Sequence, residues 1–306
     1  MIQSAETSNR SEPSCPPVAG QRRLLDIDPG LFAEKFGREP FLIEHQLCDH
    51  PLFNVDRLLQ LAQTLPEKHI EYNAGNLPVV VEPGKTPANG LSAAETIRRI
   101  RECKSWLVLK YVEQDPEYAD LLERCLAEVA VHSEPIYPGM CSPQSFIFLT
   151  SPGSVTPYHI DPEHNFLLQI RGAKKIRMFD GRDRSILSEQ DLEQLYSDSD
   201  DQERNLQLED ANREKGWTFD LQSGYGLHFP VTYPHWVENG DEVSISYSIT
   251  FRTPDLYRRQ VLYALNDRRR RNGESPRPVG EAPLREFYDF QSYRIRNRLS
   301  SMFKRS

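Results

Sequence analysis

His159 and Asp161 are separated by one residue, and both side chains are common metal ligands. Because residues two apart on a β-strand point to the same face, an imidazole and a carboxylate could converge there on one metal ion. His235, within the segment 230–236, is the candidate for a third ligand. Two imidazoles and one carboxylate that leave coordination positions open form the donor set of non-haem iron(II) oxygenases. The alternative is a pair of ordinary surface polar residues together with a structural histidine.

The other histidines have no comparable spacing. His164 follows Asp161 by three residues, so it faces away from the pair if the strand continues, and His228 lies between apolar neighbours on a short predicted strand. We expect structural or surface roles for both, and for the histidines of the N-terminal part of the chain. These are His45, His50, His69 and His132.

Composition restricts the class of protein. The 306 residues carry a formal net charge of -8, which argues against a nucleic-acid-coating protein. No apolar run approaches the roughly 18 residues that a membrane span needs, and the polar first 21 residues lack the apolar core of a signal peptide. The five cysteines show no CxxC spacing, so we expect small buried residues rather than disulfides or a zinc site. A cytoplasmic location is the simplest expectation.

The chain divides into three predicted parts: a disordered lead-in at 1–23, a domain at 24–254, and a helical extension at 255–306. The beginning of the domain reads as mixed α/β. Apolar residues at helical spacing predict helices at 55–65 and 116–131, and Ser92 with Glu95 forms a capping-box pattern before another helix. Short strands are predicted as well, among them 79–82.

From about residue 143 the pattern changes to short strands separated by Gly, Pro and Asp turns, which predicts a β-sandwich or barrel, with a jelly roll among the candidates. Val243–Phe251 alternates large apolar residues with Ser or Thr over its whole length. The hydroxylated face of this strand suits a polar cavity as well as water. The fold expected is mainly β with flanking helices.

Two charged segments leave alternatives open. The acidic insert at 180–220 is either a solvated loop or helix pair, or a lid whose charge would favour a basic substrate. The arginine run Arg268–Arg271 is expected to end a helix in solvent, where cations are favourable; the nucleic-acid alternative is weaker. The two terminal helices could pack on the barrel or pair with a second subunit in a homodimer.

Longer motifs carry a family resemblance. Thr156–Asp161 reads T-P-Y-H-I-D and is followed by Asn165–Lys174, N-F-L-L-Q-I-R-G-A-K. Both segments resemble the cupin-like JmjC oxygenases, especially the branch typified by the asparaginyl hydroxylase of hypoxia-inducible factor. Gly224–Trp236 and Arg38–Ile43 add to the likeness, which covers about residues 30–254. The resemblance implies a double-stranded β-helix, or jelly roll, with its core at about 143–254.

The resemblance also implies roles for individual residues. His159, Asp161 and His235 match the iron(II) ligands, and Thr156 with Lys174 matches the positions that hold the distal carboxylate of 2-oxoglutarate. A lysine ammonium is a compact positive charge suited to that carboxylate. Three further residues are candidates near the co-substrate: Asn165, Thr250, which stands where the family has Asn, and Tyr137, for which a structural role is the alternative.

The implied activity is an Fe(II)- and 2-oxoglutarate-dependent hydroxylation that consumes O2 and releases succinate and CO2. The substrate expected first is a small molecule or a carrier-bound group, and a protein side chain is the alternative. A binding or regulatory protein that keeps the fold without turnover is the rival from another class. A metal-dependent cupin that does not use 2-oxoglutarate is the third possibility.

Overall fold

A computed structural model describes residues 23–75, 79, 89–197, 206–208 and 214–303 of the chain. The predicted lead-in at 1–23 therefore falls almost wholly outside the described residues, as does most of the predicted strand at 79–82. The segments of the acidic insert at 198–205 and 209–213 also lie outside them.

All strand pairings in the described ranges are antiparallel, and the strands form two sheets. The strands are β1 Leu25–Asp26, β2 Phe41–His45, β3 Ile70–Ala74, β4 Ser105–Lys110, β5 Cys141–Thr150, β6 Val155–His159, β7 His164–Arg171, β8 Ala173–Met178, β9 Trp217–Gln222, β10 Tyr225–Phe229, β11 His235–Asn239 and β12 Ser244–Arg252. The larger sheet has the order β1-β2-β10-β7-β12-β5-β4-β3, and the smaller has the order β6-β11-β8-β9.

The two sheets face each other across an apolar cluster to which both contribute. Ile176, Met178 and Val237 come from the smaller sheet, and Leu167 and Phe229 come from the larger one. Two antiparallel sheets that close over a shared interior make a jelly roll, so the predicted fold class is confirmed.

Helices cover the outer face of the larger sheet. The helices of the described ranges are α1 Pro29–Lys35, α2 Val55–Thr64, α3 Ala93–Arg98, α4 Pro116–Ser133, α5 Glu189–Leu195, α6 Pro254–Arg271 and α7 Pro283–Phe303. The predicted stripe of α4 is buried, with Leu121, Cys125 and Val129 among the cluster that also holds the apolar face of β12. The capping box of α3 is present, because Ser92 Oγ accepts from Glu95 N and Glu95 Oε2 accepts from Ser92 N.

The alternation of β12 is used on both faces. Ile245, Tyr247, Ile249 and Phe251 point into the helix-covered core. The hydroxylated residues point the other way, into the interior between the sheets, and are also buried; these are Ser244, Ser246, Ser248 and Thr250. Of the two environments that the sequence left open, the structure selects the polar interior over bulk water.

Two expectations need correction. Of the four cysteines that the structure describes, Cys125 is buried, whereas Cys48 and Cys141 are exposed, so the prediction of uniformly buried cysteines is wrong. Cys48 lies in the turn after β2, and Cys141 is the first residue of β5, so both thiols are at the ends of strands. The acidic insert is not only loop or helix, because its end forms β9, which pairs with β8 along its whole length.

The arginine run at the end of α6 ties the helices together. Arg270 pairs with Glu193 of α5, a carboxylate that is 1% exposed, and Arg269 Nη2 lies 2.7 Å from Asp289 Oδ1 of α7. Arg271 pairs with Asp267 one turn earlier on α6, at 2.7 Å. Three of the four arginines are therefore held in ion pairs within the chain, rather than free at a solvated helix end.

We expect Arg270→Ala to lower the free energy of unfolding by about 3 kcal/mol, because it leaves the Glu193 carboxylate buried without its partner. The measurement is urea denaturation followed by circular dichroism. Arg271→Ala is the matched control, since its half-exposed pair with Asp267 should contribute less than about 1 kcal/mol. Equal losses in the two variants would contradict the assignment.

Candidate metal centre

Strands β6 and β11 are neighbours, and their pairing places His159 directly opposite His235. The two imidazole ring centroids are 4.2 Å apart. Asp161 lies just beyond the end of β6, with its Oδ2 atom 3.8 Å from His235 Nε2. One ligand atom from each of the three residues lies within 4.8 Å of the other two. The structure thus brings together the three residues that the sequence singled out.

Backbone carbonyl groups fix the orientation of both rings. His159 Nδ1 lies 2.7 Å from Pro157 O, and His235 Nδ1 lies 2.9 Å from Tyr233 O. A carbonyl oxygen can only accept a hydrogen bond, so each Nδ1 carries the proton and each Nε2 keeps its lone pair. This is the arrangement by which proteins orient metal-binding histidines.

The surroundings favour the unprotonated form of His235. Burial, followed by the neighbouring His159 ring, lowers the pKa of His235 to about 4. A neutral imidazole is the form that binds a metal ion. The backbone of Asp161 is also held, because Thr232 N donates to Asp161 O at 2.9 Å. The donor set is therefore two neutral imidazoles and one carboxylate on a preformed frame.

A β-bulge determines where Thr156 lies. Along β11 the step from His235 to Val237 is two residues, but along β6 the corresponding step from His159 to Thr156 is three. Without the extra residue, Thr156 and His159 would point to opposite faces; with it, both point into the interior. The bulge therefore allows Thr156 to share the interior wall with His159, a feature that simple alternation does not predict.

Lys174 lies on the same interior wall, on the other side of β11. It pairs with Asn239 of β11 and Leu221 of β9 and is 5% exposed. Its Nζ atom lies 5.7 Å from the ring centroid of Phe148 on the opposite sheet, so the side chain reaches across the interior. Among the residues that the structure describes, no carboxylate forms an ion pair with Lys174. Burial lowers the pKa of Lys174 to about 7.

The facing wall is a ladder of hydrogen-bonded polar side chains. Ser248 Oγ donates to Asn165 Oδ1 at 2.8 Å, and Ser246 Oγ donates to Gln169 Oε1 at 2.7 Å. The first of these bonds leaves the Asn165 amide NH2 as a donor. Thr250 pairs with Asn165 in the register between β12 and β7, and its hydroxyl donates to Gln144 O at 3.2 Å. Asn165 and Thr250 therefore lie together on this wall.

Tyr137 is placed apart from these residues. Its ring lies 5.9 Å from Phe36 and 5.8 Å from His164. His164 precedes Asn165 on β7, so it points to the outer face of the larger sheet. The structure does not bring Tyr137 to the interior wall that holds Lys174; its ring packs on Phe36 and lines a cleft together with His164.

A cleft of about 320 Å³ lies beside the segment 231–233, and the three candidate ligands are not among its described lining residues. Its lining includes four arginines, namely Arg38, Arg182, Arg184 and Arg259. Thr232 and Tyr233 also line it, and their backbones hold Asp161 and His235. Sequence reasoning missed this group, because its members are scattered over more than 200 positions and no spacing connects them.

Family comparison agrees with the fold. The cupin-like domain family matches residues 64–256, which is more than half of the chain. The chain therefore belongs to the cupin-like domain family. Within the described ranges, no helix has the length and apolarity needed to cross a lipid bilayer.

Individual relatives are more distant. The JmjC domain-containing protein D of Dictyostelium discoideum is 32% identical over 105 residues, which are 32% of this chain and 22% of that protein. The chain thus spans about a fifth of the length of this relative. Two structures of YcfD from Escherichia coli are also similar. One covers 90% of this chain and 70% of that chain at 14% identity, with a TM-score of 0.48. The other is described as a ribosomal oxygenase in complex with cobalt and 2-oxoglutarate; it covers 85% and 61% at 18% identity, with a TM-score of 0.47.

We expect His159→Ala, Asp161→Ala and His235→Ala each to weaken Mn(II) binding by at least about 100-fold, because each removes one of three protein ligands. Isothermal titration of the full chain with Mn(II) measures this effect. His69→Ala is the control, since His69 contacts Gln114 and Tyr111 and not the three ligands. A ligand variant that binds Mn(II) as tightly as the unaltered chain would remove that residue from the site.

Proposed function

We propose that the protein is an Fe(II)- and 2-oxoglutarate-dependent oxygenase that hydroxylates its substrate. The observation that carries the proposal is the combination of three convergent ligands, His159, Asp161 and His235, with a buried lysine that has no described anionic partner on the same interior wall. A metal site alone would fit many cupin-like proteins. The lysine adds a place for an anion beside it.

The donor set fits iron(II). Two imidazoles supply borderline nitrogen donors, one carboxylate supplies a hard oxygen donor, and other coordination positions are left open for a co-substrate and O2. Both Nε2 lone pairs are directed to the same point because their Nδ1 atoms are bonded to the backbone. When bound there, iron(II) would supply O2 activation coupled to the decarboxylation of 2-oxoglutarate to succinate and CO2, and hydroxylation of the substrate.

Lys174 and Thr156 support the assignment of the co-substrate. A buried ammonium without a counter-ion costs free energy, which an incoming carboxylate would offset. Lys174 would pair with the distal carboxylate of 2-oxoglutarate, and the Thr156 hydroxyl, brought to this wall by the bulge, would donate a second hydrogen bond. Asn165, with its amide NH2 set by Ser248, and Thr250 would border the co-substrate on the facing wall.

The remaining interior residues keep the site dry and rigid. Apolar side chains from both sheets fill the space beside Lys174, and they include Ile176, Leu221 and Phe229. Exclusion of water strengthens the electrostatic contacts of the lysine and protects reactive species from hydrolysis. We place the oxygenase domain at 24–254 and propose a small-molecule or carrier-bound substrate. The branch of the asparaginyl hydroxylase remains the one that the motifs resemble most, and a protein side chain is the alternative substrate.

We expect the full chain with Fe(II), ascorbate and 2-oxoglutarate to release succinate slowly even without its substrate, and Asp161→Ala to release none above background. Quantification of succinate by mass spectrometry measures this uncoupled turnover. Absence of both turnover and iron binding would instead favour a non-catalytic cupin-like binding protein. Turnover of another kind that Lys174→Ala leaves unchanged would favour a metal enzyme that does not use 2-oxoglutarate.

Lys174 should make co-substrate affinity depend on pH. The cation is fully present below its pKa of about 7 and is lost as the pH rises through that value, so affinity for 2-oxoglutarate should be about tenfold weaker at pH 8 than at pH 6. We expect Lys174→Met to weaken binding by about 10- to 100-fold and to remove this dependence. Equilibrium dialysis of 2-oxoglutarate in the presence of Mn(II) measures both effects.

Lys175→Met is the matched control, because Lys175 is the next residue on β8 and its exposed side chain lies on the opposite face. It should bind 2-oxoglutarate like the unaltered chain at every pH. A Lys174→Met variant with unchanged affinity would remove the lysine from the co-substrate site.

A further inference from the structure

The arginine-lined cleft beside the segment 231–233 has no part in holding the metal or 2-oxoglutarate as described above. We propose that it binds an anionic group, a carboxylate or a phosphate, of the small-molecule substrate. The inference rests on the proposed function only in calling the bound molecule a substrate. Binding of an anion in the cleft does not depend on that function. A volume of about 320 Å³ is at the lower end of the range for small-ligand pockets, which fits a small molecule or one arm of it.

Two of the arginines are held rigidly by carboxylates that do not themselves line the cleft. Arg182 donates from Nε to Asp180 Oδ1 and from Nη2 to Asp180 Oδ2, both at 2.9 Å. Arg184 donates from Nε to Glu189 Oε1 at 2.6 Å and from Nη1 to Gly181 O at 2.8 Å. A guanidinium has five N–H groups, so each arginine keeps further donors while its plane is fixed. Fixed donors bind an anion with little loss of conformational entropy.

The other two arginines form no ion pair in the described part of the chain. No described carboxylate lies within ion-pair distance of Arg38 or Arg259, and the hydroxyl of Tyr263 bonds to Arg259 instead. Asp255 is the single acidic residue among the described residues that line the cleft, and it acts on Arg259 electrostatically. Because Asp180 and Glu189 already neutralise Arg182 and Arg184, the positive charge left for an anion is that of Arg38 and Arg259 against Asp255.

A buried histidine with an unpaired ring nitrogen lines the same cleft. His164 lines the cleft, is 5% exposed, and its Nδ1 atom has no hydrogen-bond partner in the described part of the chain. Buried polar atoms are normally paired, so an unpaired one at a cavity wall indicates a missing partner. The first turn of the 18-residue helix α6 also borders the cleft through Thr253 and Leu256. The N-terminal end of a helix carries partial positive charge and favours anions.

The position of the cleft connects it to the metal centre. The segment at 231–233 lines the cleft, and within it Thr232 N bonds to Asp161 O while Tyr233 O accepts from His235 Nδ1. An anionic group held by the arginines would thus be next to the backbone that carries two metal ligands. The acidic insert does not make the cleft acidic, because the described part of the insert lines it with Arg182 and Arg184, and the carboxylates of Asp180 and Glu189 are already paired with them. A cationic substrate would be repelled there.

Four small aromatic probes of similar shape and different charge test the proposal. Phenylacetate and phenyl phosphate are anionic, phenylacetamide is neutral, and phenethylamine is cationic. Ligand-observed NMR titrations of the full chain, saturated with Mn(II) and 2-oxoglutarate, give their affinities. We expect an acid to bind at least about tenfold more tightly than the amide, and the amine not to compete. The two acids distinguish a carboxylate site from a phosphate site.

Variants of the cleft arginines show which side chains cause the preference for acids. The double variant Arg38→Gln, Arg259→Gln should bind the acids and the amide with equal affinity. Arg258→Gln is the control and should keep the preference for the acids, because Arg258 lines a different cleft next to α6. Saturation with 2-oxoglutarate occupies the interior lysine, which excludes acid binding there. Equal affinity for acid and amide, tighter binding of the amine, no binding of either acid, or selectivity that survives the double variant would each overturn the proposal. Binding of the acids requires no turnover, so failure of the succinate assay alone would count against the proposed function and not against this cleft.

Discussion

The position of β11 between β6 and β8 is the constraint on which the site depends. On one side its pairing places His235 opposite His159, and on the other it places Asn239 opposite Lys174. A single strand of five residues therefore fixes the distance between the metal ligands and the buried cation. Because side chains of paired strands share a face, a slip of one residue would turn all of these groups out of the interior.

The polar interior of the jelly roll is stable because its members satisfy one another. Burying a hydroxyl or amide without a hydrogen bond costs free energy, and the cross-strand bonds of Ser246 with Gln169 and of Ser248 with Asn165 avoid that cost. Lys174 is the exception on the same interior, since burial depresses its pKa and no described carboxylate compensates it. A stable core would be easier to build with an apolar residue at that position. The lysine is therefore better explained by a ligand than by folding.

Local periodicity predicted much of this arrangement. The alternation of 243–251 has a period of two residues and the buried stripe of α4 has steps of three and four, and the structure contains both. His159 and Asp161 also converge, but Asp161 lies beyond the end of β6 and not on the strand that the spacing assumed. The bulge that turns Thr156 inward is not a pattern of this kind, because it depends on how β6 registers with a strand some 80 positions away. The location of Tyr137 and the assembly of the arginine cleft depend likewise on tertiary contacts between distant segments. The composition of the acidic insert at 180–220 was misleading, since the net charge of a whole segment does not determine which of its side chains face a cavity.

The buried lysine and the arginines of the cleft are positive charges in different environments. Lys174 lies within the jelly roll, where burial makes a single ammonium sensitive to pH near neutrality. A guanidinium group keeps its charge throughout the physiological pH range, so the attraction of an arginine cleft for an anion would not change there. Lys174 and the three metal ligands are not among the described residues that line the cleft, so the two positions are separate. The backbone connects them, because Tyr233 lines the cleft and orients His235, and His235 begins the strand that ends at Asn239, opposite Lys174. Under the proposed function the lysine would hold the co-substrate and the arginines would hold an anion of the substrate, which requires that the lysine be single and buried while the arginines are several and near solvent.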